Sequence, residues 1–214
     1  NDIQNGGEGA PLTPIYHRIL KKKLKINSPV VFMNIGGITN ITKIYNDNFL
    51  LDQNLDAFDI APGNCLIDEW IRKNSNYRID KDGQIAKSGK VNELILNQAL
   101  DNFNITNYDK SLDIKDFDIN FVKGLSLEDG CATITKFTAH LIAKGIEFTN
   151  RINDSFSTKT FICGGGRKNR FLIECIIENL KKQKGNLIDI DQYSLKGDFI
   201  ESQAFGYLAI RSFL

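Results

Sequence analysis

The sequence predicts an α/β fold with parallel strand pairing. Two apolar runs, Val30-Val31-Phe32-Met33-Asn34-Ile35 and Thr160-Phe161-Ile162-Cys163, each stop at consecutive glycines. The second of these is followed by an amphipathic segment, a further apolar run and a closing helical segment. Strand, glycine turn, helix, strand, helix is the order of a sheet whose crossovers are helices, and such crossovers join parallel strands.

The elements follow in order. Residues 1–9 are polar and end in Gly6-Gly7-Glu8-Gly9, a loop that leads through Pro11 and Pro14 into a helix over residues 15–25 with a basic end suited to the C-terminal dipole. Residues 30–35 form a strand. Residues 41–45 and 49–52 read as two more short strands around the turn Asn46-Asp47-Asn48, giving an antiparallel meander entered through Gly36-Gly37-Ile38-Thr39-Asn40. A helix over 65–74 carries Leu66, Ile67, Trp70 and Ile71 on one face. Residues 77–89 read as loop, 91–100 as a short helix and 102–124 as a long irregular excursion. A long helix starts near Ser126, where Ser126 and Asp129 form a start like a capping box, and runs to about residue 150 with the stripe Ile134, Phe137, Leu141 and Ile142. A strand over 160–163, a helix over 169–182, a strand over 186–190 and a helix over 200–213 with Asp198 near its N-cap complete the chain.

Composition narrows the function classes. The 214 residues hold 27 Lys and Arg against 26 Asp and Glu, for a net charge of +1, which removes the general electrostatic case for a nucleic-acid partner. No apolar run approaches the roughly 20 residues that span a bilayer, and the N-terminus carries no signal-peptide pattern, so the expected setting is soluble and cytoplasmic. Cys65, Cys131, Cys163 and Cys175 lie far apart without a C-x-x-C pair, and only His17 and His140 accompany them. The expectation is four reduced thiols and no zinc site. Both histidines read as hydrogen-bonded structural groups, and Trp70 reads as core.

Three glycine junctions are candidates for phosphate contact. A glycine turn at a strand end presents successive backbone N–H groups, and a following helix adds its positive end. Gly164-Gly165-Gly166 before a helix fits best, Gly36-Gly37-Ile38-Thr39-Asn40 between strands reads more as a hairpin nest, and Ala61-Pro62-Gly63-Asn64 before a helix is the third candidate. The plain alternative for each is a tight turn. Neither G-x-x-x-x-G-K-[ST] nor G-x-G-x-x-G occurs, which argues against P-loop and Rossmann chemistry.

Taken together and in order, these segments resemble the anhydro-N-acetylmuramic acid kinases. Asp2-Ile3-Gln4-Asn5-Gly6-Gly7-Glu8-Gly9-Ala10-Pro11-Leu12 is similar to the family's stretch before the central strand. Asn34-Ile35-Gly36-Gly37-Ile38-Thr39-Asn40-Ile41 resembles N-I-G-G-I-A-N-I, and Asp59-Ile60-Ala61-Pro62-Gly63-Asn64 resembles D-T-G-P-G-N. Lys110-Ser111-Leu112-Asp113 is similar to a K-S loop, and Cys163-Gly164-Gly165-Gly166 with Asn169 matches C-G-G-G-x-x-N. Gly197-Asp198-Phe199-Ile200-Glu201 with Ala204-Phe205 resembles G-D-x-x-E-A-x-A-F.

The resemblance implies the C-terminal lobe of an actin-like ATPase (ribonuclease H-like) fold with part of the first lobe. Residues 1–28 would end the N-terminal lobe and link the lobes, and 29–214 would form the C-terminal lobe. It implies ATP-dependent phosphorylation of 1,6-anhydro-N-acetylmuramic acid with hydrolytic opening of the anhydro ring, giving N-acetylmuramic acid 6-phosphate in murein recycling. ATP and Mg2+ would be the cofactors, and a homodimer is the family's assembly. Asp2 would be the general base that activates water, and Glu201 a second carboxylate touching sugar or water. Glu201 equally suits the dipole of its helix's first turn, a stabilisation of about 0.3–1 kcal/mol. Asp2 alternatively reads as a frayed terminal residue. Gly36, Gly37, Asn40, Asp59, Gly63, Asn64, Gly164, Gly165, Gly166 and Asn169 would border the nucleotide, with Asp59 alternatively a buried cap. The family's G-T-S-x-D-G phosphate loop does not occur here, so the chain by itself is expected to be nearly inactive. Ile60 and Ala61 replace the pattern's Thr and Gly, changes expected to weaken a nucleotide contact. A noncatalytic remnant that binds nucleotide or protein, and another sugar kinase of the superfamily, are the alternatives.

Overall fold

The computed structural model describes residues 13–26, 29–45, 55–103, 108, 111–151, 159–180 and 187–213. A five-stranded sheet organises them: β1 (Val30–Ile35), β2 (Ile38–Ile44), β3 (Leu55–Pro62), β4 (Lys159–Cys163) and β5 (Leu187–Asp189), in the order β3-β2-β1-β4-β5. β1, β2 and β3 form an antiparallel meander, whereas β1, β4 and β5 run parallel, as the glycine-turn pattern predicts. β1 is therefore the strand at which pairing changes sense.

Both faces of the sheet are covered, which is why β1 reads as a continuous apolar run rather than an alternation. Val31, Met33 and Ile35 join Ile41, Ile60 and Ile162 in the larger core, under α2 (Cys65–Asn74), α3 (Gln84–Ser88), α4 (Glu93–Asn102), α5 (Leu127–Arg151) and α6 (Arg170–Asn179). Val30 and Phe32 face the smaller core, formed by Leu20 of α1 (Pro14–Lys23), Ile44, Phe161, Cys163 and Ile200 of α7 (Ile200–Arg211). All four cysteines are free and buried, as expected.

Close helix contacts are made where side chains are missing. A Cβ on Gly130 of α5 would lie 2.3 Å from Trp70 Cζ2, so the indole of α2 lies directly on the α5 backbone, its Nε1–H donating to the Leu127 carbonyl at 2.9 Å. A Cβ on Gly145 would lie 2.5 Å from Ile60 Cβ, which seats β3 against α5. Ser126 accepts the Asp129 N–H at 3.1 Å as the cap pattern predicts, but the Asp129 carboxylate turns outward to the Lys90 N–H at 2.8 Å.

The expected strand at 49–52 lies outside the described residues. Three other stretches add to the sequence reading. The third strand of the meander is Leu55–Pro62, whose two aspartates and terminal proline weaken its strand signal. Within the stretch read as loop, α3 forms because the buried Asp80 carboxylate accepts the Ile85 and Ala86 N–H groups at 2.8 and 3.0 Å, a cap placed before a left-handed Gly83. The irregular excursion contains two short 3-10 turns, Ile114–Asp116 and Asn120–Val122.

Candidate functional site

The glycine turns gather at the carboxyl ends of β1 and β4, on neighbouring parallel strands. In open α/β sheets this edge, at the point where strand order switches, is where ligands bind. The turn after β1 and the turn after β3 are joined by main-chain bonds. Gly63 N–H donates to Gly37 O at 2.8 Å, Asn64 N–H to Gly36 O at 2.8 Å and Cys65 N–H to Gly37 O at 3.2 Å. Gly63 is required there, because its Cβ would lie 2.3 Å from Gly36 O. The Asn64 and Cys65 amides at the start of α2 are thus satisfied by backbone carbonyls, with no side-chain cap from Asn64. The amides expected to face phosphate at 63–64 instead bind the neighbouring turn. Gly37 is exposed, and a Cβ there would meet only Ile114 Cδ1 at 3.9 Å.

A register shift between Thr39 and Asn40 sets Asn40 opposite Asp59 on one side, while Asn34 of β1 faces it on the other. Asn40 Oδ1 is buried without a hydrogen-bond partner. Asp59 is buried, and its Oδ2 accepts the Leu112 N–H at 2.9 Å, which docks the segment matching the K-S loop. Lys110 lies outside the described residues. Ile60 and Ala61, the departures from the family pattern, are fully buried in the larger core.

The glycines after β4 divide by role. A Cβ on Gly164, which has φ 81°, would lie 2.4 Å from Asn34 Oδ1, and one on Gly166 would lie 2.2 Å from Ile35 Cγ2. Those two glycines let the turn press against the end of β1. At Gly165 a Cβ would meet nothing within 4 Å, and the residue is exposed. A 3-10 turn, Gly165–Lys168, separates the glycines from α6. Asn169 caps α6, its Oδ1 accepting the Leu172 N–H at 3.0 Å.

Arg167 lies inside that 3-10 turn with its side chain 2 % exposed. Its Nη1 donates to Gly164 O at 2.8 Å and to Asp198 Oδ1 at 2.5 Å, its Nη2 to Asp191 Oδ2 at 2.6 Å, and its Nε lies 3.4 Å from Asp189 Oδ1. Lys168 also pairs with Asp198. Burial opposes the charge of Arg167, but the Asp198 and Asp191 carboxylates outweigh it and hold its pKa above the ordinary value. The guanidinium in turn lowers the pKa values of Asp191, against partial burial, and of Asp198. Beneath the turn, burial raises the Cys163 thiol to about 12, with Arg167 pulling it down and Glu201 pushing it up. Glu201 stands exposed in the first turn of α7, and the turn before it accepts the Gly164 N–H at Gly197 O, 3.1 Å away.

The sequence model of the anhydro-N-acetylmuramic acid kinases matches residues 1–213. The chain belongs to this family. The anhydro-N-acetylmuramic acid kinase of Pelagibacter ubique (strain HTCC1062) is 50% identical over 216 residues, covering 100% of this chain and 56% of that relative. The kinase of Methylorubrum populi is 35% identical over 213 residues, covering 99% of this chain and 53% of the relative. The chain therefore spans about half the length of these kinases. Among solved structures, the activator of the 2-hydroxyisocaproyl-CoA dehydratase from Clostridium difficile with bound ADPNP aligns at TM-score 0.51 and 12% identity, covering 90% of this chain and 63% of that one. This likeness is one of fold, and it agrees with the actin-like ATPase lobe that the motifs imply. Among the described residues no helix is long and apolar enough to cross a membrane.

The fold thus brings Gly36, Gly37, Asn40, Asp59, Gly63, Asn64 and Gly164–Gly166 to one sheet edge, with Asn169 one turn further and Glu201 across the Gly164–Gly197 bond. Asp2 lies outside the described residues. Sequence reasoning missed Arg167, Asp189 and Asp191, and it read Asp198 as lying near the N-cap of the closing helix, whereas Phe199 holds that position and the Asp198 carboxylate binds Arg167 and Lys168. The signal of the missed residues was an Arg-Lys pair directly after one strand's glycines and an Asp-x-Asp at the end of the neighbouring strand.

Proposed function

We propose that this chain carries one wall of the nucleotide cleft of an anhydro-N-acetylmuramic acid kinase. The whole protein would phosphorylate 1,6-anhydro-N-acetylmuramic acid with ATP and open the anhydro ring by hydrolysis. The observation that carries this reading is the pair of open glycines, Gly37 and Gly165, at the carboxyl ends of adjacent parallel strands in a chain of this family. Phosphate oxygens need close backbone approach, and these are positions where a Cβ-sized space stands open. Asn40, with its buried carbonyl oxygen unpartnered, and Asp59 border the same edge.

ATP supplies the γ-phosphoryl group when bound. Mg2+ would be held mainly through phosphate oxygens and water. Among the described residues no group of three His, Cys, Asp or Glu side chains is assembled to hold it otherwise. In our reading Asp2 takes a proton from water as that water bonds to the anomeric carbon and the bond from that carbon to O6 breaks. The freed O6 accepts the phosphoryl group, giving N-acetylmuramic acid 6-phosphate and ADP. Glu201 holds the sugar or the water through its exposed carboxylate. Positioning and electrostatic stabilisation supply most of such a rate enhancement.

Incubation of 1,6-anhydro-N-acetylmuramic acid with ATP, Mg2+ and the chain, followed by mass spectrometry, tests the reaction. A gain of phosphate plus water is expected of the whole protein, and a gain of phosphate alone would point to a simple sugar kinase. ADP binding without turnover is the result expected of this chain by itself. Absence of ADP binding would remove the nucleotide reading for these residues.

A further inference from the structure

We infer that Arg167 is a positioning residue that locks the Gly164–Gly166 turn to the Gly197–Glu201 turn, so that the open backbone at Gly165 and the Glu201 carboxylate keep one fixed relation. The inference rests on the proposed nucleotide site and adds a residue to it.

An arginine beside a glycine turn invites a different reading, in which the guanidinium reaches out to phosphate. The geometry argues against that. Arg167 is buried, and Asp191 and Asp198 take both of its terminal nitrogens while Asp189 stands beside Nε. Three carboxylates around one guanidinium leave no net positive charge to offer an anion. What the fork does instead is bridge. One nitrogen, Nη1, binds both the Gly164 carbonyl and Asp198, the residue between Gly197 and Phe199. The main chain makes the same connection, through Gly164 N–H and Gly197 O. Asp191 closes the arrangement from the far side, accepting from Arg167 and from the Gly197 N–H at 2.6 Å. Gly197 also passes so near that its Cβ would lie 2.6 Å from Arg167 Nε. A planar, multidentate donor suits this role, and a lysine ammonium, a single point of charge, does not span the same partners.

Amide hydrogen exchange on the full chain tests the lock directly, with Gly164 as the reporter because its N–H joins the two turns. Arg167→Met is expected to speed exchange at Gly164 and Gly197 by about 10- to 100-fold, the loss of a charge-assisted hydrogen bond, while amides of α5 stay protected. Asp198→Asn removes one arm only and serves if Arg167→Met does not fold; it is expected to speed Gly164 in the same sense. Arg167→Lys is expected to behave as Arg167→Met does. Unchanged exchange at Gly164 in the variants overturns the lock, and wild-type protection in Arg167→Lys overturns the part assigned to the fork. The second measurement is titration with ADP and Mg2+, where both Arg167 variants are expected to bind about tenfold more weakly. Faster exchange with unaltered ADP affinity overturns the positioning role. If the wild-type chain binds no ADP, the nucleotide site fails as a proposal, and exchange still decides whether the two turns are locked.

Discussion

His17 makes the stability of this protein depend on pH in a way that can be worked from its surroundings. The ring is 1 % exposed, stacked on Phe32 with centroids 5.0 Å apart, and its Nδ1 lies 2.8 Å from Thr42 Oγ1. Nε2 is buried with no hydrogen-bond partner. Burial lowers its pKa from 6.5 to about 3. The unfolded chain therefore binds a proton that the folded chain refuses, and stability is full above about pH 6.5 and lost as pH falls toward 3. At about pH 5 the unfolded imidazole gains a factor of roughly 30, which is about 2 kcal/mol of lost stability relative to neutral pH. Asp68 works in the opposite direction. Its pKa is raised to about 6, first by burial, against the pull of Arg72 and with a push from Asp80, so the folded state gains stability as pH falls through that value. The wild-type slope alone therefore mixes two signs. Comparison with His17→Phe isolates the histidine, since Asp68 and the partly buried His140 contribute equally to both proteins. The assay is urea unfolding at about pH 7.5 and about pH 5. His17→Phe is expected to be less stable at about pH 7.5, because Thr42 loses its partner, yet to lose about 2 kcal/mol less than wild type between the two. Equal losses in the two proteins would refute the buried, neutral histidine.

Asp68→Asn is expected to stabilise the protein by about 1–2 kcal/mol near pH 7.5, with the gain shrinking as pH falls through about 6, a trend that denaturation midpoints at the two pH values would reveal. Gly63→Ala forces a methyl to within 2.3 Å of the Gly36 carbonyl, so a loss of about 1–3 kcal/mol is expected together with weaker ADP binding; calorimetric melting and ADP titration check both. Gly130→Ala drives a methyl into the only tryptophan. A similar loss is expected, with altered Trp70 emission in the folded state as the indole shifts from the Leu127 carbonyl, and an unaltered spectrum would mean that the contact is looser than described.

Much of the architecture is legible from local pattern. Strand β1 and the helices α2 and α5 announce themselves through apolar runs and one-sided stripes, and glycine at a strand end marks the switch from antiparallel to parallel pairing. What is not legible depends on distant partners. β3 looks unlike a strand because Asp56, Asp59 and Pro62 are tolerated only at that sheet edge, where Tyr45 pairs with Asp56 and Leu112 with Asp59. α3 owes its start to Asp80, four residues ahead of its first turn. At the site, the glycine motifs locate the edge, but not which amides are open. The Gly63 and Asn64 amides look free in sequence and are bound to carbonyls 26 residues or more away. Arg167 looks like a solvent-exposed cation in a basic turn, and only the approach of the end of β5 and of the turn before α7 supplies the three aspartates that bury it.

The joint between the turns after β1 and β3 is built from atoms that every residue except proline possesses. Short of proline, mutation cannot delete such a bond by changing a side chain; it can only wedge one apart, and Gly63 is where a wedge would fit. Ile60 beside this joint is held by packing instead, its side chain seated on the bare backbone of Gly145 on the opposite wall of the core. The joint is held by the main chain, and the identity of a side chain counts in the packing beneath it.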